Sequence, residues 1–386
     1  MQQAEKPKKM PVGQNFWFLG AWTGEKPFVE DVNWDRAYDS GEAIWNPLFI
    51  KELINARYCA LRFMDWGATN NSVSSDWFSR TLPEARHDEL DTRGIGKAGM
   101  AYEWMIDLCN RTSADLWLCV PHLTIESYEA DPSRNYYTEL AALVKAKLCP
   151  GLHVYLEYSN ETWNSQFTQG RYCARRGVDA GYDFQGYTAS FMFHVFAALR
   201  LHRVFLEVFG TQRQRVKTVI SGQMGSTFGV RKNWSVQKQI EALDDSAINP
   251  WGLEPDYYGV ANYIGGDIDG AAPTIRHDWR RVVGDMIRNT ESILNILHGT
   301  GMKLAAYEGG HHIVKNGDVF SRNPAAYDMY MEWLEAANKY YALTMHYNHC
   351  GRWISDDAWG ALEYTGQSPN HAPKYRALVD WNKRSK

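Results

Sequence analysis

The chain has 386 residues, with 41 Lys and Arg against 45 Asp and Glu, a net charge of −4 and a mean hydropathy of −0.47. That is enough for one large α/β barrel or two average domains, and the intermixed charges exclude the basic stripe of a nucleic-acid or anionic-membrane surface. No run attains the ~18 apolar residues of a membrane span. Aromatic residues, by contrast, are abundant, at 16 Trp and 22 Tyr; rings with an apolar face and a polar tip suit the faces of sugars, although about half of the Trp are expected to fill the core.

Residues 1–14 read as a polar tail without an apolar leader core. A cytoplasmic protein and a secreted one whose leader has been cleaved both stay open, and the secreted one is the working expectation. From residue 15 onward a single barrel domain is expected. A first strand is expected over 15–20, then a helix from Asn46-Pro47 to about Arg57, with Asn as cap and Pro at the first helical position. Strands two and three are expected over 59–64 and 115–121, with helical spacing over 99–111 between them and over 136–148 after them. Strand four, 153–158, leads into a long helical stretch over 185–208.

The second half keeps this rhythm. Strands are expected over 216–221, 257–261, 302–307 and 342–347. The helices between and after them are placed at 235–243, near 278–298, from Asn323-Pro324 to about Lys339, and over 373–383. Alternating βα units imply a parallel sheet, and eight of them most simply close into a (β/α)8 barrel. The competing open, doubly wound sheet would carry a glycine-rich first βα turn, and GAWTGEKPF matches GxGxxG poorly. Cys59, Cys109, Cys119, Cys149, Cys173 and Cys350 form no CxxC pair and no zinc-like spacing, so neither a disulfide nor a metal is required.

In a barrel, chemistry gathers where strands end at their carboxyl side. Those ends read Arg62 followed by Asp65-Trp66, then His122, Asn160-Glu161, Ser221 and Gln223, Asn262-Tyr263, Glu308, and His346 with Asn348. Two segments stand out. HVYLEYSNETWN (153–164) places Glu161 just past a strand, and KLAAYEGG (303–310) repeats the design with Glu308 before two glycines. Two glutamates on separate strand ends are what cleavage of a glycosidic bond needs. Trp17, Trp22, Trp66, Trp163 and Trp353 are expected near the same mouth.

A strand-four Asn-Glu and a strand-seven Glu in an eightfold barrel resemble clan A of the glycoside hydrolases, the retaining β-glycosidases. The resemblance covers the barrel plan over most of the chain and rests on few specific matches. It implies Glu161 as acid/base, Glu308 as nucleophile, Arg62 as the strand-two arginine, Tyr263 as hydrogen-bond partner of the nucleophile and Asn160 as ligand of the sugar 2-hydroxyl. His122, Trp66, Trp163, His346 and Trp353 complete the expected sugar contacts, with no metal and no cofactor. The chain departs from the clan at strand eight, MHYNHCGRW, where many members carry a Trp at the strand end; Trp353 is the candidate substitute.

Two carboxyl groups at the ~5–5.5 Å separation of a retaining enzyme raise one another's pKa. Arg62 and Tyr263 beside Glu308 would favour its anion, leaving the proton on Glu161. The expected reaction is double-displacement hydrolysis of a β-linked polysaccharide or oligosaccharide, with a carbohydrate as sole partner and neither nucleic acid nor membrane. Long excursions over 23–43, 67–97 and 262–277, the second containing Asn70 and Asn71, point to an open cleft and endo action. Two rivals stand beside it: a non-catalytic carbohydrate-binding barrel, and a metal-dependent barrel hydrolase drawing on His122, His311, His312, His346 and His349. The adjacent His311 and His312 are poorly placed to share one ion.

Overall fold

The computed structural model describes residues 10–15, 45–83 and 99–384. Eight parallel strands close into a barrel: β1 (Val12–Asn15), β2 (Ala60–Arg62), β3 (Asp115–Val120), β4 (Val154–Tyr158), β5 (Val216–Ser221), β6 (Tyr257–Ile264), β7 (Lys303–His311) and β8 (Leu343–His346). Each strand pairs with its sequence neighbours, and β1 closes the ring on β8 and β2. The fold is the (β/α)8 barrel that the alternating pattern implies.

The helices of the outer layer are α1 (Pro47–Ala56), α2 (Tyr102–Thr112), α3 (Thr124–Ala130), α4 (Tyr136–Lys147), α5 (Thr168–Asp179), α6 (Gly186–Phe209), α7 (Trp234–Asp244), α8 (Ile275–Leu297), α9 (Gly317–Arg322), α10 (Ala326–Ala337) and α11 (Pro373–Arg384). Asn46 caps α1 through its side chain with Pro at the first turn, as the sequence suggests. Helices α3, α5 and α9, and a short hairpin of Thr227–Phe228 with Arg231–Lys232, have no counterpart in the sequence reading. The first and last of these helices and the hairpin are too short for periodicity to mark, whereas α5, with 12 residues, is amphipathic but strongly polar, so its apolar face is thin.

Both faces of each barrel strand are buried, and the period of two sorts their side chains. On β3, Leu116, Leu118 and Val120 pack outward against helices, whereas Trp117 and Cys119 point into the barrel. On β4, Val154, Leu156 and Tyr158 point outward and Tyr155 inward, where it stacks on Trp117 at 5.1 Å between centroids.

The first strand differs from the expectation. It is Val12–Asn15, beginning inside the stretch read as a tail and ending on the first residue of the expected strand, whose residues 16–20 lie outside the described residues. The reason is long-range. Val12 exchanges backbone hydrogen bonds with the Asn382 side chain, and Trp381 donates to the Met10 carbonyl at 2.8 Å. The last helix therefore fixes the first strand, and nothing local in VGQN announces it.

Candidate active site

Arg62, the last residue of β2, is wholly buried, and its guanidinium reaches three of the described residues. Nε donates to Glu157 at 2.8 Å, Nη1 to Glu308 at 2.6 Å and Nη2 to Asn160 Oδ1 at 2.8 Å. Its plane lies over the Tyr307 ring, 5.0 Å from the centroid. Glu157, inward-facing on β4 and buried, also accepts from Trp117 Nε1 at 2.9 Å and Cys119 Sγ at 3.3 Å. The ion pairs of Arg62 among the described residues are with Glu157 and Glu308. Glu157 escaped notice, although a lone charge inside the buried run VYLEY is itself a signal, because a buried acid requires a partner.

Glu308 owes its direction to a bulge. Val260 is opposite Ala306 and Ala261 is opposite Glu308, so β7 carries one more residue than β6 at Tyr307. Ala305 and Tyr307 face the barrel interior. Strict alternation would then send residue 308 out to the helices, and the extra residue resets the phase so that its carboxylate turns inward. There Oε1 accepts from Arg62 and Oε2 from the Tyr263 hydroxyl at 3.0 Å. Burial raises the Glu308 pKa, and the Arg62 charge and the Arg62 and Tyr263 hydrogen bonds oppose that rise by favouring the anion.

Glu161 sits on the turn after β4. Ser159 and Glu161 both have positive φ, 59° and 42°, which is unfavourable for residues with a Cβ and characteristic of functional turns. The turn is pinned on several sides. Thr162 Oγ1 pairs with His194 Nδ1 of α6 at 2.9 Å, and Gln169 donates to the Asn160 carbonyl at 2.9 Å. Among the described residues the Glu161 carboxyl accepts only from the neutral amide of Asn164, at 3.0 Å. Burial first, then the nearby charge of Glu308, pushes its pKa up to about 7. The two glutamates thus feel one another across the mouth in unequal settings.

A third carboxyl group stands beside them. Asp65, three residues past Arg62, accepts from the Tyr347 hydroxyl at 3.2 Å, and burial followed by the Glu308 charge pushes it up to about 7. Tyr347, inward-facing just past β8, meets Tyr263 edge-on at 6.2 Å and Trp359 at 5.9 Å. His312 lies between, 5.7 Å from Tyr263 and 5.6 Å from Trp359. Tyr347, Trp359 and His312 form an aromatic wall that the sequence reading did not assign to the site.

Other expected contacts fall elsewhere. His346 alternates outward from Met345 and Tyr347, and its Nε2 meets Tyr330 of α10 at 3.3 Å. Trp66 stacks on Trp45 at 5.9 Å under α1, in the outer core. Trp353 is buried, with its indole N–H on the Gly360 carbonyl, and Lys374 and Arg322 lie over its ring. His122 packs edge-on against Tyr172 at 5.1 Å, and neither ring nitrogen has a hydrogen-bond partner among the described residues. Asn70 and Asn71 serve structure, Asn70 accepting from Asn160 and Gln169 and Asn71 from the start of α5. Trp163, two residues past Glu161, is half-buried. Trp17 and Trp22 lie outside the described residues. Among the described residues no group of three His, Cys, Asp or Glu is arranged to hold a metal ion.

No family model and no curated protein matches this chain. Solved structures do. A family 51 α-L-arabinofuranosidase from Bifidobacterium longum superposes with a TM-score of 0.55 at 10% identity, covering 97% of this chain and 74% of its own. The GH51 arabinofuranosidase from Xanthomonas axonopodis pv. citri gives 0.54 at 10% identity, with 99% and 74% covered. The AHE enzyme from Alicyclobacillus herbarius gives 0.52 at 12% identity and covers both chains completely. This chain shares their fold. At such identities the likeness is one of architecture, and the chemistry has to be argued from the side chains.

Proposed function

We propose that this protein is a clan A glycoside hydrolase that cleaves β-linked glycans with retention of configuration. The observation that carries the reading is the unequal pair at the barrel mouth: Glu308 held by a cation and a phenol, Glu161 held by one amide and pushed up to about 7. Such a division of environments separates a nucleophile from an acid. Glu308 attacks the anomeric carbon while Glu161 gives its proton to the glycosidic oxygen, and the aglycone leaves with a hydroxyl group. Glu161, now a carboxylate, takes a proton from water as the water oxygen bonds to the anomeric carbon and Glu308 departs.

Arg62 keeps the Glu308 carboxylate oriented, and Glu157 on the far side of the guanidinium fixes Arg62 in turn. Asn160, held by Arg62 and Asn70, retains one amide hydrogen for a sugar hydroxyl. Endo action on a polysaccharide rests on the lengths of segments 23–43 and 67–97 in the sequence, of which 23–43 and 84–97 lie outside the described residues, while β6 and α8 leave only residues 265–274 of the third excursion as a loop.

The test is hydrolysis of 4-nitrophenyl β-D-glucoside, galactoside, mannoside and xyloside, of 4-nitrophenyl α-L-arabinofuranoside, and of a panel of β-glucans, mannan, xylan and galactans. The arabinofuranoside is included because the superposing enzymes bear that name. Glu308→Ala is expected to abolish turnover, with azide restoring cleavage of a β-glycoside to give the α-glycosyl azide. Glu161→Ala is expected to spare the first step for good leaving groups and to yield the β-azide. Full activity in either variant overturns the assignment. Glycan binding without turnover, unchanged by Glu161→Gln, would show a binding barrel instead.

A further inference from the structure

Asp65 has no role in the double displacement, yet its surroundings are not those of a structural acid. A carboxyl group buried for stability normally takes a cation or several donors. The described hydrogen bonds of the Arg62 guanidinium go to Glu157, Glu308 and Asn160, and among the described residues Asp65 receives a single side-chain hydrogen bond, from Tyr347 to Oδ2. Among the described residues its Oδ1 has no hydrogen-bond partner, and the residue keeps part of its surface open.

The turn that carries Asp65 is rigid. Gly67 N–H bonds to the Phe63 carbonyl at 2.9 Å, Ala68 N–H to the Asp65 carbonyl at 2.9 Å and Thr69 N–H to the Met64 carbonyl at 3.2 Å. Thr69 Oγ1 ties the turn to the Cys119 carbonyl at 3.1 Å. Tyr347 reaches Asp65 from β8, across the intervening β1, and the same tyrosine packs against Tyr263, the phenol on Glu308. Asp65 and Glu308 are thus joined through two phenols on one wall. A group held this firmly, with one oxygen committed and one open, is pre-organised for a ligand.

Resting on the glycosidase reading above, we propose that Asp65 is a substrate-binding residue whose Oδ1 takes a hydrogen bond from one ring hydroxyl of a neutral sugar seated against Glu308. Tyr347 acts through it, as a positioning residue. Among the described residues, Asp65, Glu157, Glu161 and Glu308 surround one cation, Arg62, so a sugar bearing its own carboxylate meets repulsion there and a neutral one does not.

The experiment is a cycle between residue and hydroxyl. The 4-nitrophenyl glycoside that the wild type turns over fastest is prepared in parent form and in monodeoxy forms, each lacking one ring hydroxyl. All are assayed with wild type, Asp65→Ala, Asp65→Asn and Tyr347→Phe, with thermal melts to confirm folding. A hydrogen bond to a charged or polarised group corresponds to about 10- to 100-fold in kcat/KM. Wild type should lose that factor on one monodeoxy substrate. Asp65→Ala should lose it on the parent and lose nothing more on that same monodeoxy form, while staying sensitive to the other deletions. Asp65→Asn, of the same shape, should lie between. An Asp65→Ala protein that lowers all substrates equally, or none, overturns the proposal. If wild type turns over none of the panel, the glycosidase reading fails, and calorimetric titration of wild type and Asp65→Ala with the same parent glycosides decides the second point. Equal affinity, or no binding by either protein, then overturns the role of Asp65.

Discussion

Arg62 and Glu308 form an ion pair at 2.6 Å with both side chains almost entirely out of water. The same guanidinium holds Glu157 at 2.8 Å, so one cation compensates two buried carboxylates. Removing a single partner of a buried pair leaves uncompensated charge, a loss of about 3–5 kcal/mol. Arg62→Ala is expected to lower stability by about that amount, read from the urea midpoint at constant slope. A variant within a few tenths of wild type would mean that water already screens the pair.

The pH profile should be set by the unequal pair. Glu161 must begin protonated, and with its pKa pushed up to about 7 kcat/KM is expected to fall as pH rises through that region. The acidic limb belongs to Glu308, whose anion Tyr263 stabilises. Tyr263→Phe removes that stabilisation, raises the Glu308 pKa and should move the acidic limb to higher pH. An acidic limb unmoved in Tyr263→Phe would detach the phenol from the titration.

Stability should fall in the same direction of pH as activity. A carboxyl group whose folded pKa lies above its unfolded value binds more protons in the native state, so stability falls as pH rises between the two. For Glu161 that window runs from the ordinary value of 4.5 to about 7. Glu161→Gln cannot ionise and relieves Glu308 as well. Its melting temperature is expected to exceed that of wild type at pH 8 by more than at pH 5, measured in parallel melts. An equal difference at both pH values would contradict the coupling.

Lys374 offers a separate test away from the mouth. It is wholly buried on α11, with Nζ 3.0 Å from His311 Nε2 and a second bond to the Ala358 carbonyl. Burial holds its pKa well below the ordinary 10.5. The unfolded chain then binds the extra proton, and stability should rise with pH toward that value. In urea titrations at pH 7 and pH 9, wild type is expected to gain on Lys374→Met as pH rises. A Lys374→Met protein that holds a constant difference from wild type would show the amine charged in the native state.

The βα rhythm and the two strand-associated glutamates were legible in the chain because they depend on local periods. Strand alternation and helical spacing report themselves over ten residues, and Asn160-Glu161 and Glu308 stand next to short apolar runs whose length and place between helical stretches favour strands. Arg62 and Tyr263 were legible for the same reason, lying on or beside their strands.

Other features depended on contacts that no window along the sequence contains. The first strand is fixed by Asn382 and Trp381, about as far away in sequence as the chain allows. At the end of β8, which of His346 and Tyr347 faces the mouth follows from the phase of the strand in the closed ring, and that phase put Tyr347 inside. Trp66 and Trp353 look like sugar platforms in one dimension and are packing residues in three. The inward turn of Glu308 required the extra residue at Tyr307, a mismatch between two strands that neither carries alone. The sequence by itself therefore determined which elements form and which acids lie near their ends, since propensity and period are local. Only the closed barrel decided which side chains converge, because convergence is set by register and by burial between segments distant along the chain.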